Sequence, residues 1–277
     1  MKKNIIIIGA RGYKYNYGGW ETFVTNLVKN NKNKNYQFYI PNLTNEKTED
    51  KKIKKIDNVI SPSIYVGNQG FVTMFTFTIK ATNFFLNYIE QEKLKNTVIL
   101  MLGCKVGPLF PIWKKKLKKL KTSLIINPDG LEWKREKWSW WIKKCFKISE
   151  RYCIKYSDYC VCDSASIESY IKQEYQNYHT PTKFIAFGAY ENRNPKKSQT
   201  AEELFQKYQI KEKEYYLIVG RFIPENNYET MIREFMKSNT KKDLIIICNV
   251  EENKFYQELK EKTNFLSDKR IKFIGTV

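Results

Sequence analysis

The chain has 277 residues, 42% hydrophobic and 15% aromatic, enough to build the cores of one large or two ordinary domains. Lys and Arg total 49 against 29 Asp and Glu, a formal net charge of +20 that favours anionic partners: membrane phospholipid, nucleic acid or phosphorylated substrates. Six scattered cysteines without a C-x-x-C pair argue against a zinc site and for reduced, mostly buried thiols in a cytosolic protein.

In chain order, Ile5–Ile8 is a short β-branched run that reads as a strand buried on both faces. It is too short for a secretory signal, and Arg11 follows soon after. Gly9 ends it, a Gly- and Tyr-rich loop runs to Gly18-Gly19, and from Glu21 the residues Phe23, Val24, Leu27 and Val28 recur at helical spacing. Glycines at such a loop let backbone amides approach an anion, and the helix start adds positive potential. The pattern is not a dinucleotide fingerprint, because Gly9, Gly12 and Gly18-Gly19 do not share one tight turn and the strand Tyr36–Ile40 ends in Pro41-Asn42 without a carboxylate. No Gly-Lys-Ser/Thr follows either, so it is not a P-loop.

Residues 42–58 read as a polar, Lys-rich loop, and 59–66 as a short strand interrupted at Pro62. A helix over 71–92 follows. Its stretch Phe71–Ile89 is apolar but carries Lys80, Asn83 and Asn87, which favours a buried or surface helix over a membrane span. Thr97–Leu102 is another strand, closed by Gly103. In the Lys-rich segment after it, Leu109, Trp113, Leu117 and Leu120 share one helical face, which suits either an amphipathic helix on an acidic membrane or an ordinary surface helix.

The strand Leu124–Ile126 delivers Asn127-Pro128-Asp129-Gly130 into a turn, and carboxyl ends of parallel strands are where α/β proteins bind ligands, so Asp129 and Glu132 sit where chemistry is expected. A dense set follows: Trp133, Lys134, Arg135, Lys137, Trp138, Trp140 and Trp141. Trp with Lys or Arg binds sugar rings, lipid headgroups or bases. The competing expectation is a helix that buries Trp138, Trp141, Ile142 and Cys145 on one stripe, and for the tryptophans that is the stronger one.

Tyr159–Cys162 reads as a strand, Asp163-Ser164 as a cap, Ile167–Tyr175 as a helix and Phe184–Phe187 as a last strand. His179, the sole histidine, lies in a polar turn and receives no catalytic role. The polar stretch 188–198, with Pro195, reads as a linker between domains 1–188 and 189–277. Thr200-x-x-Glu203 is a capping box. Tyr215–Val219, a helix opened by Pro224-Glu225, Leu244–Cys248, a helix over Asn253–Phe265, and Ile271–Ile274 complete a β-α-β-α-β half of a doubly wound domain.

Four stretches resemble one family in the same order: Gly9-x-Arg11-Gly12 with Tyr17-Gly18-Gly19-Trp20-Glu21-Thr22-Phe23; Asn127–Arg135 with Lys137-Trp138; Ile185–Ala189; and Val219-Gly220-Arg221-Phe222-Ile223-Pro224-Glu225-Asn226-Asn227. They are similar to the family 4 glycosyltransferases, closest to the branch with bacterial rhamnosyltransferases of capsule and exopolysaccharide assembly. The resemblance implies a GT-B architecture: a Rossmann-like acceptor domain and a Rossmann-like nucleotide-sugar domain, the latter incomplete here. It implies that Gly18, Gly19, Arg221 and Asn226 bind the donor's diphosphate, that Arg11, Trp20, Glu21, Lys134 and Arg135 meet the acceptor, and that Asp129 and Glu132 are catalytic, Asp129 orienting or deprotonating an acceptor hydroxyl. The donor implied is dTDP-rhamnose, the acceptor a lipid-linked saccharide at the inner face of the plasma membrane, and the reaction retaining, with no metal or resident cofactor. The chain departs from the family in carrying Asn226 where most members have lysine, as the rhamnosyltransferase branch also does, and in ending at Val277 before the family's Glu-x7-Glu motif. Two other functions remain open: an inactive remnant that binds membrane or acceptor, and a basic nucleic-acid-binding protein. Dispersed charge and the lack of a nucleic-acid-binding motif argue against the last.

Overall fold

The structure is a computed structural model that describes residues 2–15, 18–68, 70–189, 199–250 and 252–275. The chain divides into two compact units, Met1–Ala189 and Tyr190–Val277. Tyr17 of the glycine motif and most of the expected linker, 190–198, lie outside the described residues, as does the Thr200 side chain of the capping box.

The first unit contains β1 (Lys3–Ile8), α1 (Gly19–Lys29), β2 (Tyr36–Tyr39), β3 (Asn42–Thr44), β4 (Ile53–Ile56), β5 (Val59–Tyr65), α2 (Thr73–Gln91), β6 (Thr97–Leu102), α3 (Phe110–Lys119), β7 (Ser123–Asn127), α4 (Trp140–Tyr156), β8 (Tyr159–Cys162), α5 (Ala165–Glu174) and β9 (Thr182–Phe184). Among the described residues its strands form one sheet in the order β3-β5-β2-β1-β6-β7-β8-β9. β4 hydrogen-bonds β5 and is the antiparallel member. β1 lies at the centre, with Ile5 opposite Phe38 on β2 and Val98 on β6. Its run is buried on both faces because alternate side chains serve different cores. Ile6 and Ile8 pack with Phe77 and Phe85 of α2, Phe110 and Leu117 of α3 and Ile154 of α4, while Ile7 packs with Val24 and Val28 of α1. Each such isoleucine contributes about 1.5–3 kcal/mol of burial.

Four expectations change. Residues 42–58 are not a plain loop: they hold β3 and β4, three- and four-residue edge strands that lack an apolar face of their own and exist because β5 supplies hydrogen bonds. β5 is not broken at Pro62. It pairs with β2 through Val59 and Ile60 and with β3 through Ser63–Tyr65, so the missing proline amide falls where the strand changes partner. β9 ends at Phe184 rather than reaching Phe187. Finally, α4 starts at Trp140 and buries Phe146, Ser149, Glu150, Cys153 and Ile154, which turns Trp141 and Cys145 outward.

The lysine-rich helix α3 buries Phe110, Trp113 and Leu117 in the core, so its apolar face is not free to meet lipid. α2 likewise buries Phe77, Ala81, Phe85 and Ile89. No helix among the described residues is long and apolar enough to cross a membrane.

The second unit contains α6 (Gln199–Lys207), β10 (Tyr215–Val219), α7 (Tyr228–Lys237), β11 (Asp243–Ile247), α8 (Lys254–Thr263) and β12 (Ile271–Ile274). Its three described strands are parallel in the order β10-β11-β12. α7 and α8 cover one face through Tyr228, Ile232 and Leu259, and α6 packs on the other against Ile245 and Ile274. Pro224 and Glu225 belong to a short 3₁₀ turn, and α7 begins only after Asn227 at φ 55°.

Candidate functional site

The first unit has a switch point beside its central strand. The chain leaves β1 towards β2 on one side, whereas β6 lies on the other, so the loops after β1 and β6 diverge at the carboxyl ends, which is where α/β sheets bind ligands. Gly9, at φ 126°, passes so close to β6 that a Cβ there would stand 2.4 Å from the Leu102 carbonyl oxygen. The loop then bonds to β3, with the Leu43 amide donating to the Arg11 carbonyl at 2.7 Å.

Glu21, 6% exposed in the first turn of α1, closes this loop. Its Oε1 accepts the Arg11 amide at 2.8 Å, and its Oε2 lies where a Cβ on Gly18 would be 1.9 Å away. Its carboxylate is therefore engaged within the loop. Gly18 caps α1 without a side chain, and the amides of Gly19, Trp20 and Glu21 have no partner among the described residues, as expected of a helix start that can meet an anion. Gly19 is exposed with open space around it. The Trp20 ring packs edge-on against Phe23 and Phe187, at 6.1 and 5.9 Å. The half-buried Arg11 side chain has no hydrogen bond or ion pair among the described residues.

At the end of β7, Asn127 is buried and its Oδ1 accepts the Asp129 amide at 2.9 Å, forming a turn that sets Asp129 at φ 61°. The Asp129 side chain reaches the surface, yet its surroundings strip water from the carboxyl and raise its pKa. Asp163 and Glu132 push the same way, while the Gly130 amide and Lys105 oppose them. Glu132 goes in the other direction. Burial pushes its pKa up, but bonds from Arg135 at 3.0 Å and Trp138 Nε1 at 2.9 Å outweigh that and hold it below the usual carboxylate value. Asp129 is thus the carboxyl with enhanced proton affinity, and Glu132 the one kept ionised. Lys134 is exposed, 5.3 Å from the Trp133 ring centroid, and Arg135 is occupied by Glu132.

Lys105 belongs to the same cluster and escaped the sequence reading. It follows Gly103 at the end of β6, half-buried, with its pKa lowered by desolvation against the raising influence of Asp129, Glu132 and Glu21. Its loop is pinned to α4: Ser149 Oγ donates to the Cys104 carbonyl at 2.6 Å and accepts the Gly107 amide at 2.7 Å. The available signal was the strand-end rule already applied to Asp129, because Thr97–Leu102 also closes with glycine.

In the second unit, β10 ends at Gly220-Arg221. The Arg221 carbonyl accepts both the Ile223 amide at 2.9 Å and Asn226 Nδ2 at 2.7 Å, so Asn226 braces the backbone of the arginine. A Cβ on Gly220 would stand 3.2 Å from Asn226 Nδ2 and 3.3 Å from the Tyr228 hydroxyl. Tyr228 is fully buried, and burial, then the neighbouring Cys248 thiol, pushes its pKa up to about 12. The Arg221 guanidinium is exposed without a side-chain partner among the described residues.

A family described as a domain of unknown function, DUF1972, matches residues 2–190. The chain belongs to the DUF1972 family. Its matched segment takes in β1 to β9 and every candidate residue of the first unit. A search of curated proteins finds no match to this DUF1972 chain. Solved structures do resemble it. Sucrose-phosphate synthase from Thermosynechococcus elongatus superposes with a TM-score of 0.66 at 12% identity, over 100% of this chain and 71% of that one. Anabaena HepE in complex with UDP and glucose gives 0.66 at 13% identity, over 100% and 70%. The lipopolysaccharide outer core galactosyltransferase WaaB, in its apo form, gives 0.59 at 13%, over 100% and 68%. At such identities the likeness establishes the fold: this DUF1972 protein has the Rossmann-like architecture of the GT-B glycosyltransferases.

Proposed function

We propose that the protein is a glycosyltransferase that moves a sugar from a nucleotide diphosphate donor to an acceptor hydroxyl. The observation that carries this reading is Arg221, an exposed guanidinium without a side-chain partner among the described residues, braced by Asn226 at the carboxyl end of β10. A bidentate cation on that braced backbone suits a diphosphate, whose negative charge grows as the sugar leaves. The fold neighbours support it, since HepE has been solved in complex with UDP and with UDP-glucose.

In this reading the acceptor hydroxyl oxygen bonds to the sugar's anomeric carbon while the bond from that carbon to the diphosphate oxygen breaks. Within the first unit Asp129 is the group suited to take the hydroxyl proton, and within the second Arg221 is the group suited to neutralise a departing diphosphate. The finer identity follows the sequence resemblance: family 4, the rhamnosyltransferase branch, dTDP-rhamnose as donor, retention of configuration, and a lipid-linked saccharide acceptor at the inner face of the plasma membrane in capsule or exopolysaccharide assembly. The net charge of +20 suits a peripheral protein on anionic lipid. No metal or resident cofactor is assigned a role.

Calorimetric titration of the chain with dTDP, with UDP as control, tests the reading. Selective dTDP binding that Arg221→Ala weakens about 30-fold or more supports it. A folded protein that binds neither nucleotide overturns it, and salt-sensitive binding of random DNA in their place would favour nucleic-acid binding.

A further inference from the structure

The start of α4 leaves two tryptophans uncovered. Trp140 is 60% exposed and Trp141 69%, with ring centroids 4.4 Å apart. Two turns on, Ile148 is 42% exposed. Large side chains this open are costly in water unless something covers them, and here they are grouped rather than scattered. The surrounding charge has one sign. Between Trp133 and Ile148 there are six basic residues and a single acidic one, Glu136. Of the six, Arg135 and Lys137 approach Glu132, and Lys147 is paired with Glu174. Lys134, Lys143 and Lys144 have no carboxylate partner among the described residues, and Lys144 Nζ lies 5.1 Å from the Trp140 ring centroid.

We propose that Trp140 and Trp141, with Lys143 and Lys144, form the surface by which this protein sits on an anionic phospholipid bilayer. Indole rings favour the membrane interface, and lysines beside them reach lipid phosphates. The two rings cross at 73°, so they offer no common flat platform for stacking a base or a sugar. The patch also belongs to the site's own loop: Trp138, two residues before α4, donates to Glu132. The patch and Asp129 therefore belong to one stretch of chain, eleven residues apart in sequence. The assignment deepens the proposal of a lipid-linked acceptor and rests on it. It replaces α3, whose apolar face is buried, as the lipid-facing element.

The test uses the full chain, shown folded by circular dichroism, in co-sedimentation with vesicles of phosphatidylcholine alone or with about one third phosphatidylglycerol. Binding to the anionic vesicles is expected, weakening with salt. W140S/W141S lowers the partition coefficient about tenfold or more, and K143A/K144A about fivefold per lysine at low salt. All four side chains are off the core, so both variants fold. Absence of vesicle binding, equal binding to neutral vesicles, or unchanged binding by W140S/W141S overturns the proposal. So does tighter binding of a single-stranded oligonucleotide that depends on the same tryptophans. Titrating the unsubstituted chain with dTDP separates the two readings: a chain that docks on lipid but binds no nucleotide keeps this surface and loses the transferase.

Discussion

Gly18→Ala tests how the glycine loop is built. The substitution puts a methyl group 1.9 Å from Glu21 Oε2 and 2.8 Å from its carboxyl carbon, on a backbone at φ 128° and ψ 149°. The backbone strain for an L residue there is about 1–3 kcal/mol. The carboxylate must also swing away, losing its bond from the Arg11 amide, a charge-assisted contact of about 1.5–3 kcal/mol. Gly18→Ala therefore costs about 3–6 kcal/mol, and Glu21→Ala about 1.5–3 kcal/mol. In the double mutant the clash has gone, so the second substitution adds only backbone strain, and the coupling is about 1.5–3 kcal/mol. Urea unfolding followed by tryptophan fluorescence measures this, because all six tryptophans lie between Trp20 and Trp141 and report the first unit alone. A coupling below about 0.5 kcal/mol would show that the Glu21 carboxylate does not hold the loop, and would refute the reasoning.

Arg221→Ala is expected to weaken dTDP binding about 30- to 1000-fold, the loss of one charge-assisted bidentate contact, while Asn226→Ala loosens only the brace and costs about tenfold; calorimetry separates them. Asp129→Asn should abolish sugar transfer without lowering stability at pH 7. The Asp129 pKa is raised in the fold, so its ionised form is the disfavoured one, and asparagine tolerates the φ of 61°. Glu132→Gln should destabilise instead. The Glu132 pKa is lowered, so its contribution is present above the ordinary glutamate value and is lost as pH falls through the depressed one; denaturation curves of wild type and variant should converge in acid. Tyr175→Phe removes one of the two hydroxyls that Glu150 accepts, at 2.5 and 2.6 Å, and should cost about 1.5–3 kcal/mol in the same urea assay.

The long apolar runs were legible because their burial is set locally: a β-branched stretch such as Ile5–Ile8, covered on both faces, has few other places to go. β3 and β4 were not, because segments as short as Asn42-Leu43-Thr44 and Ile53-Lys54-Lys55-Ile56 become strands only when β5 offers its edge, a non-local bond without a periodic signature. The tryptophan stripe failed on phase. Trp138, Trp141 and Cys145 do share a helical spacing, but α4 begins at Trp140 and its rotation is fixed further along, where Phe146, Glu150 and Cys153 meet the core. The site was half legible. Strand-end logic pointed to Asp129 and Glu132 as candidates, yet residue type alone assigns two neighbouring carboxylates the same chemistry. Only the contacts of Arg135 and Trp138 with Glu132, and the desolvation of Asp129, drive their proton affinities apart.

Helix α4 ties the loop that carries Lys105 to the exposed tryptophans at its start. Its middle is anchored by hydrogen bonds to buried groups. Glu150 takes the Tyr170 and Tyr175 hydroxyls, and Ser149 bonds the loop that carries Lys105 so closely that a Cβ on Gly107 would stand 2.0 Å from the Ser149 carbonyl oxygen. Its first turn presents Trp140 and Trp141 to the outside. A rotation of the helix that buried the tryptophans would pull Ser149 from Cys104 and Gly107, strand buried polar groups and displace Lys105 from Asp129. The exposure of the tryptophans is thus tied to the position of the Lys105 loop, and one cannot be relieved without disturbing the other.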